Sequence, residues 1–65
     1  MEDNKLIEYL KQMESEFLAA CRDSNKFVDG NNSAGTRVRK YMQNIKNLAQ
    51  QVRIEVQEQK HAIAA

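Results

Sequence analysis

The stretch "DGNNSAG", residues 29–35, separates two long segments that each carry a helical pattern of apolar residues. Gly30 or a neighbouring Asn can take the left-handed backbone conformation that ends a helix. Asn32 or Ser33 can then cap a second helix with a side-chain oxygen. The 65-residue chain has no Pro and two Gly, and it is rich in residues that favour helices. The sequence therefore predicts two helices joined by one turn.

Apolar or small residues recur in both segments at alternating intervals of four and three, which is the spacing of a coiled-coil seam. The positions expected in the core or in an oligomer contact are Leu6, Leu10, Met13, Phe17, Phe27, Val38, Tyr41, Met42, Ile45, Leu48, Val52 and Val56. Ala20, Ser24 and Ala49 continue the two seams, and Ile7, Cys21 and Val28 widen the first. A stripe this wide is typical of a helix in a bundle.

We expect one domain, residues 1–65, of the all-α class. Helix 1 is expected at about 4–28, capped by Asp3 or Asn4, followed by a turn at 29–32, helix 2 at about 33–60 and a frayed tail at 61–65. Rods of similar length joined by a short turn form an antiparallel helical hairpin. One hairpin leaves part of each stripe in water, so the hairpin is expected to assemble into a dimeric four-helix bundle or a similar homo-oligomer.

Several classes of protein are disfavoured by composition. Cys21 is the single cysteine and His61 the single histidine, so the sequence predicts neither an intrachain disulfide nor a metal site, and no cofactor. It has no nucleophile paired with a base and is too short for a sizeable cleft, which argues against an enzyme with a small-molecule substrate. No apolar run is long enough to span a membrane, and the N-terminus is acidic, so we expect a cytoplasmic protein without membrane contact.

The charge is distributed unevenly although the formal net charge is +1. Residues 1–29 carry four basic and seven acidic side chains, a net −3, whereas residues 30–65 carry six basic and two acidic ones, a net +4. Arg39, Lys46, Arg53 and Lys60 recur every seven residues and therefore share one stripe of helix 2. Such a stripe can follow the backbone of a nucleic acid.

The start of helix 2 combines a positive dipole end with basic side chains, which suits phosphate. The candidate DNA-binding residues are Ser33, Gly35, Thr36, Arg37, Arg39, Lys40, Lys46 and Arg53. Two plainer interpretations remain open at this point. The basic stripe can be a solvated face or the partner of acidic residues Glu8, Glu14 and Asp23, and the residues 33–36 can serve only as a helix cap.

The run from Gly30 to Lys60 resembles the bacterial linker-histone-like family, which includes the chlamydial histone-like proteins and short relatives in the Bacteroidetes group. The matching pattern is a Gly-Asn turn, "AGTRVRK" at 34–40, a helix with "NLA" and a closing Glu-Val. The resemblance implies a nucleoid-associated protein that binds and compacts double-stranded DNA with little sequence preference. The chlamydial members carry a Lys-, Ala- and Pro-rich tail, whereas this sequence ends in "QKHAIAA".

Two functions of different kinds follow from these observations. The first is a histone-like protein that binds DNA through its phosphates and organises it in the nucleoid. The alternative is a self-assembling helical adaptor with protein partners, in which the charge difference between the helices sets pairing and register. Retention on duplex DNA at physiological salt distinguishes them, because only the first predicts it.

Overall fold

The computed structural model describes residues 4–64, and this part of the chain forms two α-helices. Helix α1 runs over Lys5–Val28 and helix α2 over Asn32–Ala64. They pack against each other as a hairpin, so the all-α hairpin predicted from the sequence is confirmed. Neither helix contains a stretch apolar and long enough to cross a bilayer.

A side-chain cap fixes the start of α1. The Oδ1 atom of Asn4 accepts a hydrogen bond of 2.8 Å from the backbone amide of Leu6. This satisfies one of the amides that have no partner inside the helix. Asn4 is one of the two predicted caps, and the other, Asp3, lies outside the described residues.

The turn ends α1 with a Schellman motif, in which two amides beyond the helix return to its last carbonyls. The Gly30 amide donates to the carbonyl of Phe27 at 2.9 Å, and the Asn31 amide donates to that of Lys26 at 3.0 Å. Gly30 has a φ of +108°, which a residue with a Cβ adopts only with strain. Gly30 is therefore the residue that stops α1 and reverses the chain.

The start and end of α2 differ from the sequence prediction. Asn31 caps this helix, because its Oδ1 atom accepts a 3.1 Å bond from the Ala34 amide, whereas Asn32 and Ser33 already lie inside it. The expected caps were therefore wrong by one or two positions. The predicted boundary at residue 60 was also wrong, since α2 continues to Ala64. Alanine at 62 and 64 favours this extension.

The helices are antiparallel and form a single layer. Asp23 contacts Arg37, Glu16 contacts Asn44, and the Asn4 side chain accepts a 2.9 Å bond from Gln59 near the other end. The Cα trace spans 54 × 22 × 11 Å, which is the thickness of one helix. The described residues therefore form one layer of helices. Stable domains normally bury their apolar faces between two layers.

Burial reflects this geometry. Two helices in a single layer contact each other only along a narrow strip. The hydrophobic residues buried in that strip are the small residues Ala20 and Ala34. Half-buried side chains beside that strip are Leu6, Met13, Val38, Tyr41, Ile45, Leu48, Val52 and Val56. The other predicted core or contact positions, Leu10, Phe17, Phe27 and Met42, are exposed. The predicted seam is therefore divided between the hairpin contact and a surface that the single chain leaves open.

Candidate nucleic-acid interface

An ion pair links the two helices near the turn. The Nε and Nη2 atoms of Arg37 donate to the two carboxylate oxygens of Asp23, each at 3.0 Å. Asp23 is buried, and the Arg37 side chain is 44% exposed. The planar guanidinium matches a carboxylate with two parallel bonds, which fixes orientation as well as distance.

The surroundings shift three pKa values in a consistent direction. Hydrogen bonding from Arg37 lowers the pKa of Asp23, and this exceeds the opposing effect of burial; the Tyr41 hydroxyl lowers it further. The same hydrogen bond raises the pKa of Arg37. Burial raises the pKa of Tyr41, and the neighbouring Asp23 carboxylate adds to this. At neutral pH the cluster therefore contains an ionised carboxylate, a guanidinium and a neutral phenol.

A second polar contact lies seven residues away on each helix. The Nδ2 atom of Asn44 donates to both carboxylate oxygens of Glu16 at 3.2 Å. Because seven residues complete about two helical turns, Glu16 lies below Asp23 on α1 and Asn44 lies below Arg37 on α2. These four residues form one long edge of the contact between the helices, hereafter the polar edge. It fixes the register of the hairpin.

The basic stripe lies away from the polar edge, and we call Arg39, Lys46, Arg53 and Lys60 the basic ladder. All four side chains are exposed. The ion pair found within residues 4–64 is that of Arg37 with Asp23, so none of the four ladder residues forms one there. Lys40, which follows Arg39, is exposed on the neighbouring stripe of α2. The ladder therefore presents its positive charges to solvent.

The predicted site residues at the start of α2 are not equally accessible. Ser33 and Thr36 are exposed, but the amide of Ala34 is engaged by the Asn31 cap. Gly35 is half-buried against the ring of Phe27, because a Cβ at position 35 would lie 2.6 Å from the Phe27 Cδ1 atom. This part of the helix end therefore serves the hairpin, and of its exposed hydroxyl residues Thr36 borders the ladder while Ser33 lies on the stripe of Lys40.

An open groove of about 450 Å³ lies at the turn and is lined by residues of both helices. Its lining residues are Ser24, Phe27, Asn32, Gly35, Thr36, Val38 and Arg39. Ser24 of α1 and Arg39 of α2 share this groove, so the stripes to which they belong lie on the same broad side of the hairpin. The basic ladder therefore runs along one margin of that side.

The family model described as histone H1-like protein Hc1 matches residues 7–62. The chain belongs to the histone H1-like Hc1 family. A search of curated proteins found no match, and a search of solved structures found none.

The Hc1 match covers nearly all of both helices, and it includes the turn, the polar edge and the whole ladder. The resemblance seen in the sequence from Gly30 to Lys60 is thus confirmed and extends into α1. Membership of the Hc1 family indicates a histone-like protein associated with DNA, and it gives no indication of catalysis. A helical hairpin that carries a row of exposed cations fits such a role.

Sequence reasoning placed Arg37 among the DNA-contacting residues, whereas the structure engages its guanidinium with Asp23. It also gave no contact role to Glu16 and named Asp23 only within a general acidic face. The sequence did contain a signal for this contact, because Glu16 and Asp23 lie seven residues apart beside the small seam residue Ala20. An acidic heptad repeat next to a small residue at a seam places carboxylates at the helix contact.

Proposed function

We propose that this Hc1-family protein binds double-stranded DNA through its phosphates, with little dependence on sequence, and organises DNA in the bacterial nucleoid. The observation that carries the proposal is the basic ladder of Arg39, Lys46, Arg53 and Lys60, which is exposed along one margin of the hairpin. Family membership supports the choice of DNA as the polyanion.

The dimensions of the ladder suit a duplex. Neighbouring ladder residues are seven apart, which corresponds to a rise of about 10.5 Å, and Arg39 and Lys60 are separated by roughly 31 Å. This is close to the length of one turn of B-DNA, roughly 34 Å. Long Arg and Lys side chains adjust by several ångströms to reach phosphates that do not lie directly opposite them.

The roles of the cations differ. Arg39, Lys46 and Arg53 are the phosphate contacts, with Lys60 and Lys40 at the margins. Thr36 is exposed three residues before Arg39, so its hydroxyl group can donate to a phosphate beside the ladder, whereas Ser33 is exposed on the stripe of Lys40. Arg37 acts through Asp23 to hold α2 in register, so it positions the ladder. Phosphates are present in every sequence, and contacts of this kind distinguish sequences poorly.

A salt titration tests the proposal. Binding to two duplexes of unrelated sequence is measured by fluorescence anisotropy between about 50 and 200 mM salt. If four to five phosphates are neutralised, the logarithm of affinity falls with the logarithm of salt with a slope near −4 per chain, and both duplexes give the same value. Replacing Arg39, Lys46 and Arg53 by Ala reduces the steepness of that slope by about 3.

The matched control removes three cations from α1, with the triple variant K5A/K11A/R22A. These side chains are exposed and lie outside the ladder, and the change in net charge is the same. The control retains the steep slope of the unmodified protein. Equal loss of slope in both variants, or no retention of the unmodified protein on duplex DNA near physiological salt, overturns the proposal. The latter result instead favours the helical adaptor.

A further inference from the structure

One broad side of the hairpin carries apolar side chains that the chain itself leaves exposed or only half-buried. It lies opposite the polar edge and includes the groove at the turn. We call it the apolar side, and it consists of Leu10, Phe17, Cys21 and Val28 of α1 with Val38, Met42, Ala49 and Val56 of α2. Leu10 is 45%, Phe17 57% and Met42 44% exposed. The basic ladder borders it along α2, since Met42 lies between Arg39 and Lys46 at helical neighbour spacing.

The accessible area indicates how much surface remains to be covered. The hairpin exposes 5361 Å². The surface scaling of compact monomers gives about 4,200 Å² for a chain of this mass, so the hairpin exposes roughly 1,100 Å² more. A protein interface of standard size covers roughly 800 Å² on each partner. The surplus is therefore of the size that one further contact removes.

We propose that a second copy of this chain covers the apolar side, with α1 of each copy lying against α2 of the other. The two copies are related by a two-fold axis along the bundle, so both turns lie at the same end. A two-fold contact uses the same surface on both partners, which suits a surface formed by both helices of one hairpin. This inference concerns self-association and does not depend on DNA binding.

The charges select this arrangement. Within one hairpin, Asp23 is level with Arg37 and Glu16 with Asn44, so Glu14 is level with Lys46. A two-fold axis along the bundle leaves the height of each residue along the bundle unchanged, so residues that are level within one hairpin are also level between the two copies. Glu14 lies on the same flank of α1 as Phe17, three residues away, and therefore comes beside the partner's Lys46 at the margin of the new contact. Two such opposite-charge pairs form in each dimer.

The other face-to-face arrangement places α2 of one copy against α2 of the other. The two basic ladders then border the same seam, and like charges in proximity oppose association. It also leaves Glu14 without a basic neighbour across the contact. The proposed arrangement avoids the repulsion and separates the two ladders, since the two α2 helices occupy diagonal corners of the bundle.

Apolar-side variants test the surface in the absence of DNA. Mass is measured by sedimentation over a range of protein concentration, with helicity followed by circular dichroism. The unmodified protein is a dimer, and Phe17→Glu or Met42→Glu shifts it to monomer. The controls Leu18→Glu and Ile54→Glu alter exposed apolar residues on outward stripes and remain dimeric. A monomeric unmodified protein, or equal effects of variants and controls, overturns the proposal.

A charge exchange tests the arrangement and does not rely on the apolar variants remaining folded. In the proposed dimer, Glu14→Lys and Lys46→Glu each raise the dissociation constant by roughly three- to tenfold, and the double variant E14K/K46E restores it. If α2 packs against α2, Lys46→Glu instead tightens the dimer and Glu14→Lys does not weaken it. That result overturns the proposed arrangement. Neither measurement involves DNA, so a failure here is separate from a failure of the DNA-binding proposal.

Discussion

Arg37 holds Asp23 through two parallel hydrogen bonds of 3.0 Å, and the pair joins the last turns of α1 to the first turn and a half of α2. The carboxylate is buried, so its charge needs compensation, which comes chiefly from this guanidinium and further from the Tyr41 hydroxyl and the charge of Lys26. A buried charge that loses its partner is strongly unfavourable. The pair therefore sets both the register of the hairpin and the direction in which the ladder points.

The first prediction concerns the stability of the hairpin in acid. The pKa of Asp23 is lower in the folded than in the unfolded chain, because Arg37 hydrogen-bonds to the carboxylate. The stabilisation is therefore complete above the unfolded value of about 4 and is lost as the pH falls through the lower folded value. Chemical unfolding at a series of pH values should show this decline below about pH 4.

Asp23→Asn is the matched variant, because it keeps the shape and removes the titration. Its stability should be lower than that of the unmodified protein at pH 7, and the difference between the two should shrink as the pH falls below about 4. A difference that stays constant over this range would show that Asp23 does not carry the pH dependence. Other carboxylates affect both proteins equally and cancel in the comparison.

The second prediction separates the positioning role of Arg37 from the contact role of Arg39. Arg37→Gln and Arg39→Gln remove the same charge two residues apart. Arg39→Gln should flatten the salt dependence of DNA binding by about 1 and leave the unfolding transition unchanged. Arg37→Gln should lower the unfolding midpoint and, at a temperature where circular dichroism shows intact helices, change the salt dependence less than Arg39→Gln. The reverse pattern would assign the phosphate contact to Arg37.

The third prediction concerns Gly35 and Phe27 at the turn. Alanine favours a helix over glycine by about 1 kcal/mol. At position 35, however, the added Cβ would lie 2.6 Å from the Phe27 ring and force it to move. Gly35→Ala should therefore give no stabilisation in the unmodified protein but about 1 kcal/mol in a Phe27→Ala background. Urea unfolding of the four proteins measures this coupling, and equal effects in both backgrounds would contradict it.

The two helices could be predicted from the sequence because their signals are local. The seam spacing, the Gly30 turn and the Asn4 cap each act within a few residues, and the structure has all three. The cap of α2 was misassigned because three successive candidates, Asn31, Asn32 and Ser33, have side chains suited to the role. The residue that caps α2 depends on the direction of the backbone after the Schellman motif. Residue preferences for the cap position do not include that information.

The candidate site was less predictable, because it depends on how the two helices are rotated against each other. The heptad spacing of Arg39, Lys46 and Arg53 was enough to place them on one stripe. It could not show that Arg37 turns toward α1, because that follows from the position of Asp23 fourteen residues earlier. The sequence likewise gave no means of dividing the seam residues between the hairpin contact and the apolar side.

The last prediction joins the two proposals and concerns how DNA is organised. With α1 of each copy against α2 of the other, the two basic ladders face opposite sides of one dimer. One particle can then hold two duplexes. A biotinylated duplex on beads should retain a second, labelled duplex when the protein is added, and this retention should decline at excess protein, when each duplex is saturated separately.

Variants distinguish this bridging from simple coating of one duplex. Phe17→Glu should still bind a single duplex, with a lower apparent affinity because the particle has one ladder, and should retain the second duplex only at background level. Leu18→Glu should bridge like the unmodified protein, because Leu18 lies on an outward stripe. The double ladder variant R39A/R53A leaves Lys46, the partner of Glu14, unchanged, so it should remain dimeric while its binding of either duplex weakens. Bridging by a protein that sedimentation shows to be monomeric would mean that a single hairpin has two DNA-binding faces, and the opposed ladders would not be its cause.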